Sequence, residues 1–155
     1  MTMAKTVEAY LEERNVPYDL LPHSRTSTSM RTANAAHVPA HQVAKGVMLE
    51  DDGGYVMAVL PADRRVHLGA MREQLGRRVS LATEPELAAM FKDCELGAVP
   101  PVGEAYGIET VIDDELDDGG DVYFEAGDHE ELVHVGHESF LMLHGQARRG
   151  RFSRS

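Results

Sequence analysis

Between Lys45 and Leu60 the chain spells out a β-hairpin. Lys45 to Glu50 and Tyr55 to Leu60 are β-prone runs, joined by Asp51-Asp52-Gly53-Gly54. Asp-Gly between two apolar runs is a strong short-range hairpin signal. A tight hairpin makes its strands antiparallel, so the sheet that holds it is not wholly parallel. Helical signals flank it on both sides. Val7, Tyr10, Leu11 and Arg14 recur at helical spacing over residues 3–14, and Asn15-Val16-Pro17 ends that helix. Ser24 to Ser29 can cap a helix near 30–37, which Pro39 breaks, with a brief restart over 40–44. Leu68, Met71, Arg72 and Leu75 give a helix near 67–75 with Gly76 at its C-cap. Thr83-Glu84-Pro85-Glu86 is a capping box that starts a helix to about Phe91. His137 to Leu143 reads as a last short helix. Tyr18–Leu21, Val79–Ala82, Thr110–Ile112, Val122–Glu125 and Glu131–Val135 read as further strands. The expected fold is α/β. It is a single compact domain with a mixed, mostly antiparallel sheet or barrel of about six strands and flanking helices.

Charge divides the chain unevenly. Residues 1–92 hold 11 basic and 11 acidic groups, and residues 93–147 hold 15 acids and no Lys or Arg. Arg148, Arg149, Arg151 and Arg154 follow. The expected organisation is therefore a domain over 1–147 and a basic, disordered tail over 148–155, either without a partner or a loose clamp on a polyanion. The acidic run Asp113 to Asp121 lacks the alternating pattern of a calcium loop and reads as a solvated turn. A net charge of −11 argues against generic nucleic-acid binding. No run approaches the roughly 18 apolar residues of a membrane span, the N-terminus lacks an apolar signal region, and one cysteine excludes an internal disulfide. These point to a cytoplasmic protein with no membrane partner, expected to be a monomer.

Two stretches carry candidate chemistry. In Glu95-Leu96-Gly97-Ala98-Val99-Pro100-Pro101-Val102-Gly103, the glycines can take positive φ and the prolines fix φ near −65°. The backbone N–H groups of Gly97, Ala98, Val99, Val102 and Gly103 cannot all be paired in regular structure. Such a loop is either a tight connection or a cradle for a carbonyl, carboxylate or phosphate oxygen. Lys45, one of three lysines, stands among small and apolar residues. There it either snorkels to water or meets a ligand's negative charge. His129, after Ala126-Gly127-Asp128, can face a pocket with Asp128 orienting it, or sit on a surface turn. The eight histidines show no familiar zinc spacing, and no metal or other cofactor is called for. Cys94 lies beside Asp93, whose charge raises a thiol pKa, and is expected to pack under the loop. No nucleophile elbow, Walker loop or dinucleotide fingerprint is present.

Ala44-Lys45 opening a strand, then Gly97-Ala98-Val99-Pro100-Pro101 as a G-x-x-x-P loop, then Val122 to His129 as a closing strand and turn, resemble the YbaK/prolyl-tRNA synthetase-associated domain family of trans-editing deacylases. The resemblance spans roughly residues 20 to 145. It implies hydrolysis, in trans, of the ester of a mischarged tRNA carrying a small amino acid, with tRNA-Pro among the candidates and an aminoacyl-tRNA synthetase as a possible partner. It places catalysis on Lys45, Gly97, Ala98, Val99 and Pro101. It places substrate contacts at Met30, Gly46, Pro100, Gly103, Asp128 and His129, with Met30 in the acyl pocket and Lys45 on the terminal phosphate or hydroxyls of the tRNA. Gly46 stands where family members often carry Thr, Asn or Ala, and Arg31-Thr32 replaces a common Glu-Ala. A non-catalytic binding module of the same fold, and a small-molecule ester or thioester hydrolase, are the alternative functions.

Overall fold

The computed structural model of the protein describes residues 3–26, 28–95, 97–117, 120–145 and 147–155. Ser27 of the Ser/Thr stretch, Leu96 of the loop, and Asp118 and Gly119 of the acidic turn lie outside them. The helices are α1 (Lys5–Glu13), α2 (Ser29–Ala35), α3 (Leu68–Leu75), α4 (Glu84–Met90) and α5 (His137–Leu143). The strands are β1 (Asp19–Pro22), β2 (Val43–Glu50), β3 (Tyr55–Pro61), β4 (Arg65–Val66), β5 (Ser80–Leu81), β6 (Glu109–Asp113), β7 (Val122–Glu125), β8 (Glu131–Val135), β9 (Arg148–Gly150) and β10 (Ser153–Arg154).

The hairpin forms as its sequence requires, with β2 and β3 paired from Ala44–Pro61 to Glu50–Tyr55. Asp51 closes the turn, its Oδ1 accepting from Gly53 N at 2.9 Å. The main sheet runs β1-β8-β7-β2-β3-β6-β9 without closing, and β5 adds to β2. It is mixed, as expected. Among the described pairings, β2–β7, β3–β6 and β6–β9 are parallel and the other five antiparallel. Strand β3 is central. Met57 and Val59 face one core with Val7 and Leu11 of α1 and Phe140 and Leu143 of α5. Val56, Ala58 and Leu60 face another with Met71 of α3, Val111 and Phe152. Burial on both faces explains why β3 is apolar throughout rather than alternating. Val43, Ala33 of α2 and Ala62 form a third, small cluster.

The fold class is as expected; the main sheet holds eight strands where about six were expected, with β9 too short to show a period, and β4 and β10 pair apart from it as a two-stranded sheet. One expectation is corrected. The end of the chain is not a disordered tail. Strand β9 pairs with β6 and β10 with β4, and Phe152 between them is 1% exposed. Asp113, itself 1% exposed, holds this end. Its Oδ1 accepts from Phe152 N at 3.0 Å and Ser153 N at 3.1 Å, and its Oδ2 from Ser153 Oγ at 2.7 Å. Arg149 meets Asp117 at 3.7 Å and Arg151 meets Asp114 at 3.5 Å. The basic end therefore meets the acidic run at the surface, and that run is anchored at the buried Asp113 rather than wholly solvated.

Candidate functional site

The parallel pairing of β2 and β7 lasts two residue pairs, Val43 with Tyr123 and Ala44 with Phe124, after which the strands part. Strand β2 continues through Lys45 and Gly46 against β3. Strand β7 ends at Glu125 and turns through residues 126–130 into β8. Ligand sites in sheets with parallel strands form where neighbours diverge in this way.

The Gly/Pro loop lies against this opening. Glu95 N donates to Gly127 O at 2.8 Å, tying the loop to the turn. A Cβ at Gly46 would lie 3.3 Å from the Cα of Pro101 and 3.0 Å from the Sδ of Met57. Gly46 thus gives way to the loop, which is the physical reason for the absent side chain there. Gly97 has φ +83°, and a Cβ on it would lie 3.6 Å from Cε1 and Nε2 of His129. Gly97, Pro101, Gly46 and His129 are brought together. Pro100 and Pro101 are buried, which fixes the loop from below.

The loop's donors are fewer than expected. Ala98 N–H is spent inside the loop on Glu95 O at 3.0 Å. Among the described residues, no hydrogen bond takes up the Gly97 or Val99 N–H. Gly103 does not use positive φ. Its need is room, since a Cβ there would collide with the hydroxyl of Thr110 and lie 3.1 Å from Ile108 O.

His129 is 7% exposed with φ +61°, so it is not a surface turn residue. Asp128 holds the main chain that carries it. Its Oδ1 accepts from Glu130 N and Glu131 N, both at 3.0 Å, and so fixes the turn that presents His129. Lys45 is half-buried, and its Nζ donates to Ala62 O at 3.3 Å. Burial pushes its ammonium below the usual lysine range, while Asp63 opposes this and Arg65 adds to it. Strand alternation sends Lys45 to the face of Val43 and α2, opposite Gly46, so the two residues flank the opening from different sides. Met30, in the first turn of α2, is 51% exposed.

Several residues of this region carry no local signal. Arg25 meets Glu95 Oε2 at 2.8 Å and reaches Asp128 O at 3.4 Å, strapping the β1–α2 connection to both loop and turn. The same connection donates from Thr26 N to His129 O at 3.4 Å and from His23 N to Glu130 O at 2.9 Å. Glu125 is 7% exposed; its Oε1 accepts from Thr32 Oγ1 at 3.3 Å and lies 3.8 Å from His23 Nε2. Burial lifts its carboxyl above the usual carboxylate range, against the pull of His129 and His23. Cys94 packs under the loop as expected, within 3.3 Å of Tyr106 Oη, and its thiol is pushed up to about 12. Burial is the larger cause and Asp93 a smaller one, the reverse of the emphasis that the sequence suggests. A thiol held protonated in this way is no nucleophile.

Among the described residues no group of three His, Cys, Asp or Glu side chains is arranged to hold a metal ion. A cavity of about 90 Å³ on the α4 side of the loop touches Gly97 and Val99. A hollow of about 470 Å³ lies at the far end of the hairpin against Arg72 and Arg78 and includes none of the expected site residues.

The model of the aminoacyl-tRNA editing domain family matches residues 23–142, a span that includes every residue of this site. The chain belongs to that family. The match bears out the resemblance drawn from Lys45, the Gly97–Pro101 loop and the Val122–His129 strand and turn. Solved structures agree on the fold. Hypothetical protein APE2540 is 26% identical with a TM-score of 0.85, covering 97% of this chain and 100% of its own. A protein proposed to be a trans-editing enzyme for prolyl tRNA synthetase is 24% identical with a TM-score of 0.82, covering 98% of this chain and 97% of its own. A protein from Marinobacter aquaeolei VT8 proposed to act in signal transduction is 21% identical with a TM-score of 0.78, and this chain matches 30% of it. No curated protein matches the chain. No helix among the described residues is long and apolar enough to cross a membrane.

Proposed function

We propose that this editing-domain protein is a trans-acting deacylase of the cytoplasm, hydrolysing the ester that joins a small amino acid to the 3′ end of a mischarged tRNA. tRNA-Pro is the first tRNA to test, and a synthetase is the expected functional partner. The observation that carries the reading is the loop at the parting of β2 and β7. Gly97 is held at φ +83° beside His129, and the N–H groups of Gly97 and Val99 are not taken up by the described residues.

Ester hydrolysis needs donors for the negative charge that builds on the attacked carbonyl oxygen. One well-placed donor is worth roughly 3–4 kcal/mol of barrier. In this reading the loop supplies them, water adds to the carbonyl carbon, and the ribose oxygen leaves as its hydroxyl with the proton that the water gives up, so no protein nucleophile is required. The inert thiol of Cys94 fits that division of labour. Lys45 supplies a point charge to the terminal phosphate, on the side of the opening away from Gly46. Met30 offers a flexible apolar surface for the amino-acid side chain.

A deacylation assay over a panel of mischarged tRNAs, with simple amino-acid esters and thioesters alongside, tests this. The reading expects turnover of at least one aminoacyl-tRNA well above turnover of the free esters. Hydrolysis of the small esters alone would make the chain a small-molecule hydrolase. Binding without hydrolysis of any substrate would make it a recognition module.

A further inference from the structure

We propose that Glu125 is the specificity-determining residue that receives the α-amino group of the substrate's amino acid, so that the site takes α-aminoacyl esters and rejects N-blocked ones. The inference rests on the deacylase reading and adds to it a residue and a substrate feature.

Three observations carry it. First, Glu125 is 7% exposed, yet its Oε2 is buried without a hydrogen-bond partner among the described residues. Buried carboxyl oxygens are nearly always paired, so this open acceptor needs an explanation, and an incoming donor supplies one. Second, the other oxygen is already fixed. Thr32 Oγ1 donates to Oε1 at 3.3 Å, and His23 stands 3.8 Å from the same atom. The carboxyl is thereby held in one orientation with one acceptor open. Third, its place in the chain is right. Glu125 ends β7 next to the turn that carries His129, which stands 3.6 Å from where Gly97 would bear a Cβ. Thr32 lies two residues along α2 from Met30. Glu125 is thus tied to α2 through Thr32 and runs directly into the turn that sets His129 beside Gly97 of the loop. In an aminoacyl ester, the α-amino group is one carbon from the ester carbonyl.

The electrostatics agree. Burial lifts the Glu125 carboxyl, with Asp128 adding to the lift and His129 and His23 opposing it. An arriving ammonium favours the carboxylate, so the pair gains its charge as the substrate seats. An acetylated nitrogen brings no positive charge and adds bulk at a closed site.

The test uses the best substrate of the deacylation panel, prepared once with a free α-amino group and once acetylated on that nitrogen. The wild-type chain is expected to prefer the free amine by at least about tenfold in kcat/KM, mainly through KM, as expected when a site's polar group loses its partner. Glu125→Gln keeps the volume and removes the charge, and should shrink the preference to within about threefold. Thr32→Val frees Oε1 and should shrink it by less, giving a second route if the first variant unfolds. A wild type that deacylates both forms alike overturns the inference and leaves the deacylase reading standing. So does a preference that neither folded variant changes. A wild type that deacylates no tRNA overturns both.

Discussion

Removing the last four residues, Phe152 to Ser155, should unfold the protein rather than weaken its hold on tRNA. Phe152 is 1% exposed, packed with Leu60, Met71 and Val111. Replacing such a phenylalanine by alanine costs about 3–5 kcal/mol. Truncation also takes away three of the donors on Asp113: Phe152 N, Ser153 N and Ser153 Oγ. Glu115 N at 3.1 Å remains. A buried carboxylate stripped of its donors costs roughly a further 1–3 kcal/mol or more. The sum, about 4–8 kcal/mol, is comparable with the whole stability of a typical domain, about 5–15 kcal/mol. The assay is urea denaturation followed by circular dichroism. Phe152→Ala should lower the midpoint by about 1.5–2.5 M, taking a slope of about 2 kcal/mol per M. The truncated chain should show no cooperative transition. Arg149→Ala, at an exposed position, should shift the midpoint little, since exposed ion pairs are worth about 0–1 kcal/mol. A truncated protein with the wild-type midpoint would refute this account of the C-terminal strands and restore a dispensable tail.

Lys45→Ala should lower kcat/KM for aminoacyl-tRNA by about ten- to a hundredfold, the worth of a hydrogen bond to a charged group, with a melt close to wild type; undiminished turnover would remove Lys45 from the site. Glu125 should leave a pH signature in stability. Its folded pKa is raised, so its contribution is fully present below the unfolded value near 4.3 and is lost as pH rises through the folded one. The melting temperature of Glu125→Gln relative to wild type should therefore climb between about pH 4 and neutrality, and a pH-independent difference would show that the carboxyl is not destabilised by burial. Because the chain carries net charge −11 and Arg149 and Arg151 are engaged with Asp117 and Asp114, tRNA affinity should fall with a log–log salt slope of only about two or three phosphates. A slope near that of proteins with six or more contacts would contradict the charge argument.

Much of the fold is legible where local rules and tertiary structure coincide. The Val122–Glu125 and Glu131–Val135 strands and the His137–Leu143 helix stand where pattern alone puts them. So do the Thr83–Glu86 capping box and Gly76 at φ +69°. The short strands β4, β9 and β10 are not legible, because two or three residues cannot express a period and their partners are distant in sequence. The C-terminal strands mislead most. Four arginines in eight residues read as solvated, yet one phenylalanine and a buried aspartate 39 residues earlier decide otherwise. At the site, Gly97, Pro101 and His129 are visible because turn chemistry marks them. Glu125, Thr32 and Arg25 are not, since each looks like an ordinary polar residue until β7, α2 and the loop are packed together. Gly46 reads as a missing side chain, and the structure shows it as the space that Pro101 occupies.

The central claim is that the loop where β2 and β7 part hydrolyses an aminoacyl-tRNA ester, and the most direct measurement is the single-turnover deacylation rate of Gly97→Ala beside wild type on the panel's best substrate. At φ +83° an alanine strains the loop and shifts its N–H groups, while the nearest atoms to the new Cβ are 3.6 Å away, so the chain should still fold. The account predicts a rate loss of about a hundredfold or more, as for one lost oxyanion donor, with a melt within a few degrees of wild type. A Gly97→Ala protein that melts normally and deacylates at the wild-type rate would contradict it.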